Sequence, residues 1–512
     1  MPARDLPNNP NLEHLKHQAK TLQETVRSGD AEAAGLVREF HPRLTDIPDG
    51  AAALTAFALA DAQLVVARRY GFASWPRLRE HIDTVTRYTR SPHHQPIGGP
   101  ITTASELADE FLRLACLTYG GDDLTRHQRA RDLLTAHPEL AAASIYTAAA
   151  VGDTAAASIL LAADASLANR EGGPHRWPPL LYLAYSRVDS TRPGHSTVDV
   201  ARLLLGHGAD PNAGYLWEGL TSPFTALTGA FGEGEDAVNQ PRHQHSHTLA
   251  RMLLDADADP NDSQTLYNRQ FNPDNDHLEL LFAHGLGRGS GGPWHARLGP
   301  AHPTPAQMLA DQLLWAVQQN LPERVRLLLH HGVDITATCT FPHPAIGDRT
   351  AHELAVLLGN TEIADLLAAA GAAPVPLNPM EAFVAACMRA DHNTVQRLTG
   401  EDPTLARRVI ATLPELIIRA AELNRPDTVR LMTAVGFDVN TRRRVTPLHT
   451  AAHDGHLDLA RVLIELGADP TIRDTEFNST PLGWAQHGHQ HDVAAYLSGL
   501  GNGPATSDKG AS

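Results

Sequence analysis

Cysteine is nearly absent: Cys116, Cys339 and Cys387 are the only three in 512 residues. They lie too far apart for a metal-ligand pair or a disulfide framework, so a zinc ribbon is excluded and a reducing compartment fits. Long apolar runs are missing too. None follows the charges of Met1–Leu6, and none later is long enough to span a bilayer, so a cytoplasmic protein is expected. Aromatics make up only 5% against 42% hydrophobic residues, the balance expected when Ala and Leu fill thin helix–helix contacts. Positive charge is outnumbered. Lys and Arg total 42 against 58 Asp and Glu, a net charge of −16, which argues against nucleic acid as the partner because phosphate binding needs a concentrated positive field.

What is abundant is a recurring unit. Thr446 suits a helix N-cap and Pro447 the first helical position, while Leu448, Ala451 and Ala452 keep one face small and apolar. His449 completes Thr-Pro-Leu-His. Gly455 breaks the helix, a second amphipathic helix runs from Leu457 to Leu466, and Gly467, Ala468 and Asp469 end it. Ser479-Thr480-Pro481-Leu482 repeats the entry about 34 positions on, and Gly488-His489 is expected to repeat the turn about 33 on. Thr350-Ala351-His352 to Gly371-Ala372 fits at an offset of roughly 96, close to three periods.

These landmarks resemble the ankyrin-repeat family, with Thr446 to Asp469 matching its motifs residue for residue. The resemblance implies an all-α solenoid of helix–turn–helix repeats with hairpin fingers, acting as a protein–protein interaction scaffold. His449 is then a structural residue bonded to Thr446. Cys387, at the place of the small Ala451, reads as a buried core thiol.

Residues 1–87 read as a small helical domain. Leu12, Leu15, Ala19, Leu22 and Val26 recur at helical spacing, Gly29 stops that helix, and Asp30 caps a second one running to about Phe40. A third helix follows Asp49-Gly50, Leu59 to Tyr70 ends at Gly71, and Ser74 caps a further one, with Phe72 and Trp75 as core anchors. The segment Gly71 to Pro76 resembles one found in front of ankyrin arrays in a group of bacterial proteins. Residues 88–103, with Ser91-Pro92-His93-His94 and Gly98-Gly99-Pro100, have linker composition. Residues 104–502 are expected to hold about ten repeats, several degenerate, and 503–512 a disordered tail. Insertions at Arg187 to Ser196 and Gly232 to Ser246 split two repeats between their helices. The Gly-, Pro- and His-rich Gly287 to Pro303, and Thr338 to Asp348, should lengthen fingers.

For chemistry, the 29 histidines invite a metal reading. His243, His245 and His247 alternate in the second insertion, as do His487, His489 and His491 in the last repeat, with His489 at the family's usual His. No carboxylate or Cys completes a ligand set, so no metal or cofactor is expected. Gly285-Leu286-Gly287-Arg288-Gly289 has neither a preceding strand nor a following helix, so it reads as a flexible loop and not a phosphate cradle. Arg442, Arg443 and Arg444 form a basic run on a finger tip. Tyr215 and Trp217 lie in another finger, either packed back or exposed as anchors. With Phe341 and Phe477 these are the candidate partner contacts. The rival expectation is an enzyme or metal-dependent effector whose repeats select the target, the His-bearing insertion being its candidate site.

Overall fold

The computed structural model describes residues 6–45, 56–188, 192–338 and 349–500, and it divides into two compact units, Met1–Met308 and Leu309–Ser512. Both are built of short helices in antiparallel pairs, as expected for an all-α repeat solenoid. No helix among the described residues is long and apolar enough to cross a membrane.

In the first unit, helices Leu12–Arg27, Ala31–Phe40, Leu59–Arg69 and Trp75–Tyr88 enclose a core of Leu15, Ala19, Leu22, Val37, Val65, Leu78 and Ile82. Asp30 caps the second of these by accepting from Ala33 N–H. Phe72 is buried and Trp75 is half-buried against this core. The helix expected after Asp49-Gly50 falls partly on residues outside those described. Ala104–Ala115 and Leu124–Ala136 come next, followed by repeat pairs Ile145–Val151 with Thr154–Ala163, Pro179–Tyr185 with Thr197–Gly206, and Ala226–Phe231 with Ser246–Asp255. First helices stack on first helices and second on second, so each pair buries its apolar face only against its neighbours.

Two features differ from the sequence expectation. Residues 88–103 contain strand β1 (Thr89–Arg90), which pairs in parallel with β2 (Gly214–Trp217), itself antiparallel to β3 (Pro223–Thr225). Arg90 and Pro92 are buried, so this stretch is fixed to a repeat finger despite its Pro and Gly content. Within Gly287 to Pro303 lies a helix, Gly292–Leu298, whose Trp294 and Leu298 pack with Val85, Leu216 and Tyr88. It follows the Gly285-Gly289 string, but the preceding element is a helix, Asp276–Ala283, so a dinucleotide loop still has no strand to stand on. The Gly232 to Ser246 insertion is tied down: Arg242 bridges Glu233, Asp274 and Asp276, and Glu233 N–H donates to Gln240 O at 2.7 Å.

The second unit repeats the pair more regularly: Ala351–Leu357 with Thr361–Ala369, Pro379–Met388 with His392–Glu401, Leu416–Glu422 with Pro426–Ala434, Pro447–His453 with Leu457–Glu465, and Pro481–His487 with His491–Leu500. An additional helix, Leu405–Thr412, occupies one connection. Caps begin these helices. Thr350 and Glu353, and Asn378 and Glu381, satisfy each other's backbone N–H groups reciprocally. Thr446 and His449 do the same, Thr446 N–H donating to His449 Nδ1 at 3.2 Å.

Between the two helices of each pair the chain passes through a left-handed residue: Gly359, Ala390, Asn424, Gly455 and His489, with φ from +48° to +75°. His489, and not Gly488, is therefore the counterpart of Gly455, and the turn shares the 34-position offset of the entry. Its bulk makes the slot unrecognisable from sequence. Among the described residues, a second link recurs between successive fingers at four places. Asn440 donates its side-chain amide to Gly467 O (3.1 Å) and accepts from Asp469 N–H (2.8 Å). Asn169 does so with Gly208 and Asp210, Asn212 with Asp257 and Asp259, and Asn261 with Arg288 and Gly287.

Two predictions follow from these turns and links. Gly455→Val should destabilise the second unit by about 2 kcal/mol, since φ is +75° and a Cβ would meet the Gln490 amide, whereas Ala390→Gly should stabilise it by about 1 kcal/mol. Urea titration of the full chain checks the pair; equal midpoints would mean that these turns carry no strain. Asn440→Ala removes both links to the next repeat and should cost about 1–2 kcal/mol, read as faster amide exchange in 457–500.

Candidate protein-interaction surface

Four of the seven candidate contacts come together in the second unit. The connection from Gly436 to Thr446 is set by Asp438, whose carboxylate accepts from Asn440 N–H, and Phe437 is buried beneath it. This leaves Arg442, Arg443 and Arg444 at the tip. Arg442 Nη1 donates to Arg473 O at 2.8 Å, while Thr475 N–H donates to Arg444 O at 3.1 Å, so two successive fingers are bonded together. Arg443 faces Glu415 at 3.5 Å and Arg444 faces Glu476 at 3.0 Å. Both pairs are exposed and contribute little to stability, so a partner's carboxylate can exchange for either glutamate at small cost.

The second finger is organised by Asp474, which is buried. Its carboxylate accepts from Glu476 N–H, Phe477 N–H, Ser479 N–H and Trp484 Nε1–H at 2.6–3.0 Å. Burial alone would raise its pKa, but these donors outweigh that cost and hold the carboxyl well below the usual range. Asn478 turns with φ +52°. The consequence is that Phe477 stands outward, 65% exposed. Its ring lies 6.2 Å from that of half-buried Trp484, over which the Arg444 guanidinium sits at 5.7 Å. Trp484 went unrecognised in the sequence because its position in the helix corresponds to Thr450, a helical residue with no binding signal. The exposed Phe477 three places after an Asp was the available cue.

The remaining candidates fall elsewhere. Tyr215 is 1% exposed, stacked against Trp177 at 4.9 Å and Phe224 at 5.5 Å, so it is a core residue and not a partner anchor. Trp217 is half-buried, stacked on His93 at 4.6 Å and donating Nε1–H to Thr118 O. Phe341 lies outside the described residues, as do Cys339 and the 503–512 tail. The structural set keeps its places. Pro447 and Leu448 are buried, Gly467 has φ +93°, Ala468 is buried, and Asp469 accepts from Thr471 N–H.

His449 is fully buried with both ring nitrogens engaged, Nδ1 toward Thr446 and Nε2 with Ser479 O at 3.1 Å, so no free nitrogen is left for a general base. His243 is buried and its Nδ1 accepts from His245 N–H, while His245 and His247 are exposed. Among the described residues, the groups of three whose ligand atoms converge are His93, His94 and Glu218, and Asp274, Asp276 and His277; neither alternating histidine set is among them.

With this geometry in view, comparison with known proteins is informative for the C-terminal part. Residues 382–474 and 416–508 match the family described as Ankyrin repeats. The chain is 52% identical over 58 residues to ankyrin repeat domain-containing protein 49 of Bos taurus, covering 11% of this chain and 24% of that protein. Its Homo sapiens counterpart is 51% identical over 57 residues, covering 10% and 24%. The chain thus spans about a quarter of the length of the curated relatives it matches. It contains ankyrin repeats, which are generally protein-interaction modules without enzymatic activity.

Buried histidines make the first unit acid-sensitive. Burial holds His127 and His175 down to about 3 and His302 to about 4, and pushes His243 well below its ordinary value. Each is neutral when folded and titrates near 6.5 when unfolded, so its stabilising contribution is complete above pH 6.5 and declines as pH falls toward the folded value. Asp262, pushed up to about 6 by burial, and Asp122, also raised, act in the opposite direction. The lowered histidines, which also include His81 and His93, outnumber the raised carboxylates, which also include Asp109. Lowering the pH from 7 to 5 should therefore destabilise Met1–Met308 by several kcal/mol, more than Leu309–Ser512, where His449 is lowered. Hydrogen exchange at the two pH values resolves the units, and equal loss in both would refute the assignment.

Proposed function

We propose that this protein is an interaction scaffold that binds another protein through the fingers and adjacent first helices of its second unit. The observation that carries the reading is the surface formed by Phe477, Trp484 and Arg444, with Arg442 and Arg443 beside them: a large exposed aromatic ring, a half-buried indole and guanidinium groups on a hydrogen-bonded tip. Aromatic and Arg anchors of this kind dominate protein–protein binding energy. Three arginines on an otherwise acidic chain favour a partner segment bearing carboxylates, which Arg can grip bidentately. The fingers of the first unit are less available, because strand β1 and helix Trp75–Tyr88 cover the β2–β3 hairpin.

The setting that fits is the cytoplasm. Cys116 and Cys387 are free and buried, and burial pushes both thiols up to about 12, as suits reduced, unreactive core residues. The helices before the repeats, with buried Phe72 and the helix start at Trp75, suit the bacterial type of array.

Affinity capture with the full chain, followed by Phe477→Ala and Arg444→Ala, tests the proposal. Each should weaken binding of the captured partner by about 2 kcal/mol, roughly thirtyfold, with an unchanged circular dichroism spectrum. Substituting His245 and His247 in the insertion should leave binding intact. Loss in the insertion variants with retention in the finger variants would transfer the site to the insertion and favour an effector activity.

A further inference from the structure

The turn Pro92–His94 follows β1, and the β2–β3 hairpin turns at Glu218. Pairing of β1 with β2 sets these two turns side by side, with Thr89 opposite Leu216, Arg90 opposite Trp217, and Glu218 N–H donating to Arg90 O at 3.1 Å. His93 Nε2 then lies 3.3 Å and His94 Nε2 3.5 Å from Glu218 Oε1. We propose that His93, His94 and Glu218 form a binding site for a divalent transition metal, Zn(II) by the chemistry of its ligands, that staples the segment before the repeats to the finger hairpin.

The spacing is the first support. Zn bonds of about 2.0–2.1 Å in a tetrahedron place neighbouring ligand atoms about 3.4 Å apart, which both measured separations match. Two imidazoles and one carboxylate suit Zn, Co or Ni and do not suit Mg or Ca, which take oxygen. Three protein ligands leave one position, and the exposed side of His94 opens it to solvent.

Orientation is the second. His93 is held by the Trp217 ring stacked at 4.6 Å, and by Gly120, where a Cβ would meet the imidazole at 2.8 Å. Among the described residues the buried Nδ1 of His93 has no hydrogen-bond partner, so the nitrogen contact of this ring is made at Nε2.

The third is local strain. Glu218 has φ +50°, a left-handed conformation that glycine holds without penalty, and Gly219 beside it has φ +83°. Gly or Asn would hold this turn position at lower cost, so the carboxylate is placed there against local backbone preference. By contrast, Asp274 and Asp276 in the other convergent group are neutralised by Arg242 and Arg269, whose charges repel a cation.

The test uses the tag-free full chain, Zn(II) by calorimetry and Co(II) by its visible absorption. The expected result is about one equivalent bound, a melting temperature raised by Zn(II) and restored by chelator, and at least tenfold weaker binding in His94→Ala and Glu218→Gln. Glu218→Gly separates ligation from folding. It should lose the metal yet melt no lower than the parent in chelator, because the turn is relieved. His243→Ala and His245→Ala should bind as the parent does. No binding by the parent, or undiminished binding in both His94→Ala and Glu218→Gly, would overturn the proposal.

Discussion

The side-chain amide that joins one finger to the next repeat is the interaction on which the display of this protein's surface depends. A helix pair of six to ten residues per helix buries too little to stand alone, so each pair borrows stability from its neighbours. Apolar stacking of Ala and Leu supplies that stability but is tolerant of sliding and rotation. The bidentate contact of Asn440 with Gly467 O and Asp469 N–H is not, because it fixes a carbonyl and an amide at the end of one helix against a side chain of the preceding finger. Its recurrence at Asn169, Asn212 and Asn261 means that finger orientation is specified link by link.

The same architecture is used differently in the two units. In the first, aromatic residues that would be anchors on a bare finger are turned inward: Tyr215, Phe224, Trp177 and Tyr185 form one packed group, and Trp217 and Trp294 receive the helix and strand that precede the repeats. A chain with few aromatics has concentrated them where its own N-terminal helices dock. In the second, among the described residues, Phe437 is turned inward, but Phe477 stands out from its finger and half-buried Trp484 lies on the helix behind it.

Much of this was legible from sequence where chemistry and period coincide. Thr-Pro at a helix start, Gly in a left-handed turn and Gly-Ala-Asp at a helix end have local physical causes, so Thr446 to Asp469 could be read directly. Three kinds of feature resisted. Ala390 and His489 occupy left-handed turns without looking like turn residues, because stacking of the flanking helices outweighs local preference. Residues 89–90 and 292–298 carry linker composition and are ordered by contacts with residues distant in sequence, Leu216 and Tyr88 among them. The fate of Tyr215 against Phe477 could not be told from their similar finger positions, because burial is decided by what covers the finger and not by the finger itself.

Phe477 also shows why a rigid tip matters for recognition. An aromatic side chain on a mobile loop loses backbone as well as rotamer freedom when it binds, and that loss offsets the apolar area gained. Here the loss is taken at folding. Asp474 gathers three backbone N–H groups and the Trp484 indole, and the Arg444 carbonyl holds Thr475 from the neighbouring finger, so the chain around Phe477 is fixed before any partner arrives. Only the two side-chain torsions of Phe477 remain to be restrained. Since Asp474 is ionised far below neutral pH, this arrangement stays intact under mild acid that weakens the histidine-rich first unit. The two units therefore differ in the condition each tolerates, and the exposed aromatic surface belongs to the more acid-tolerant one.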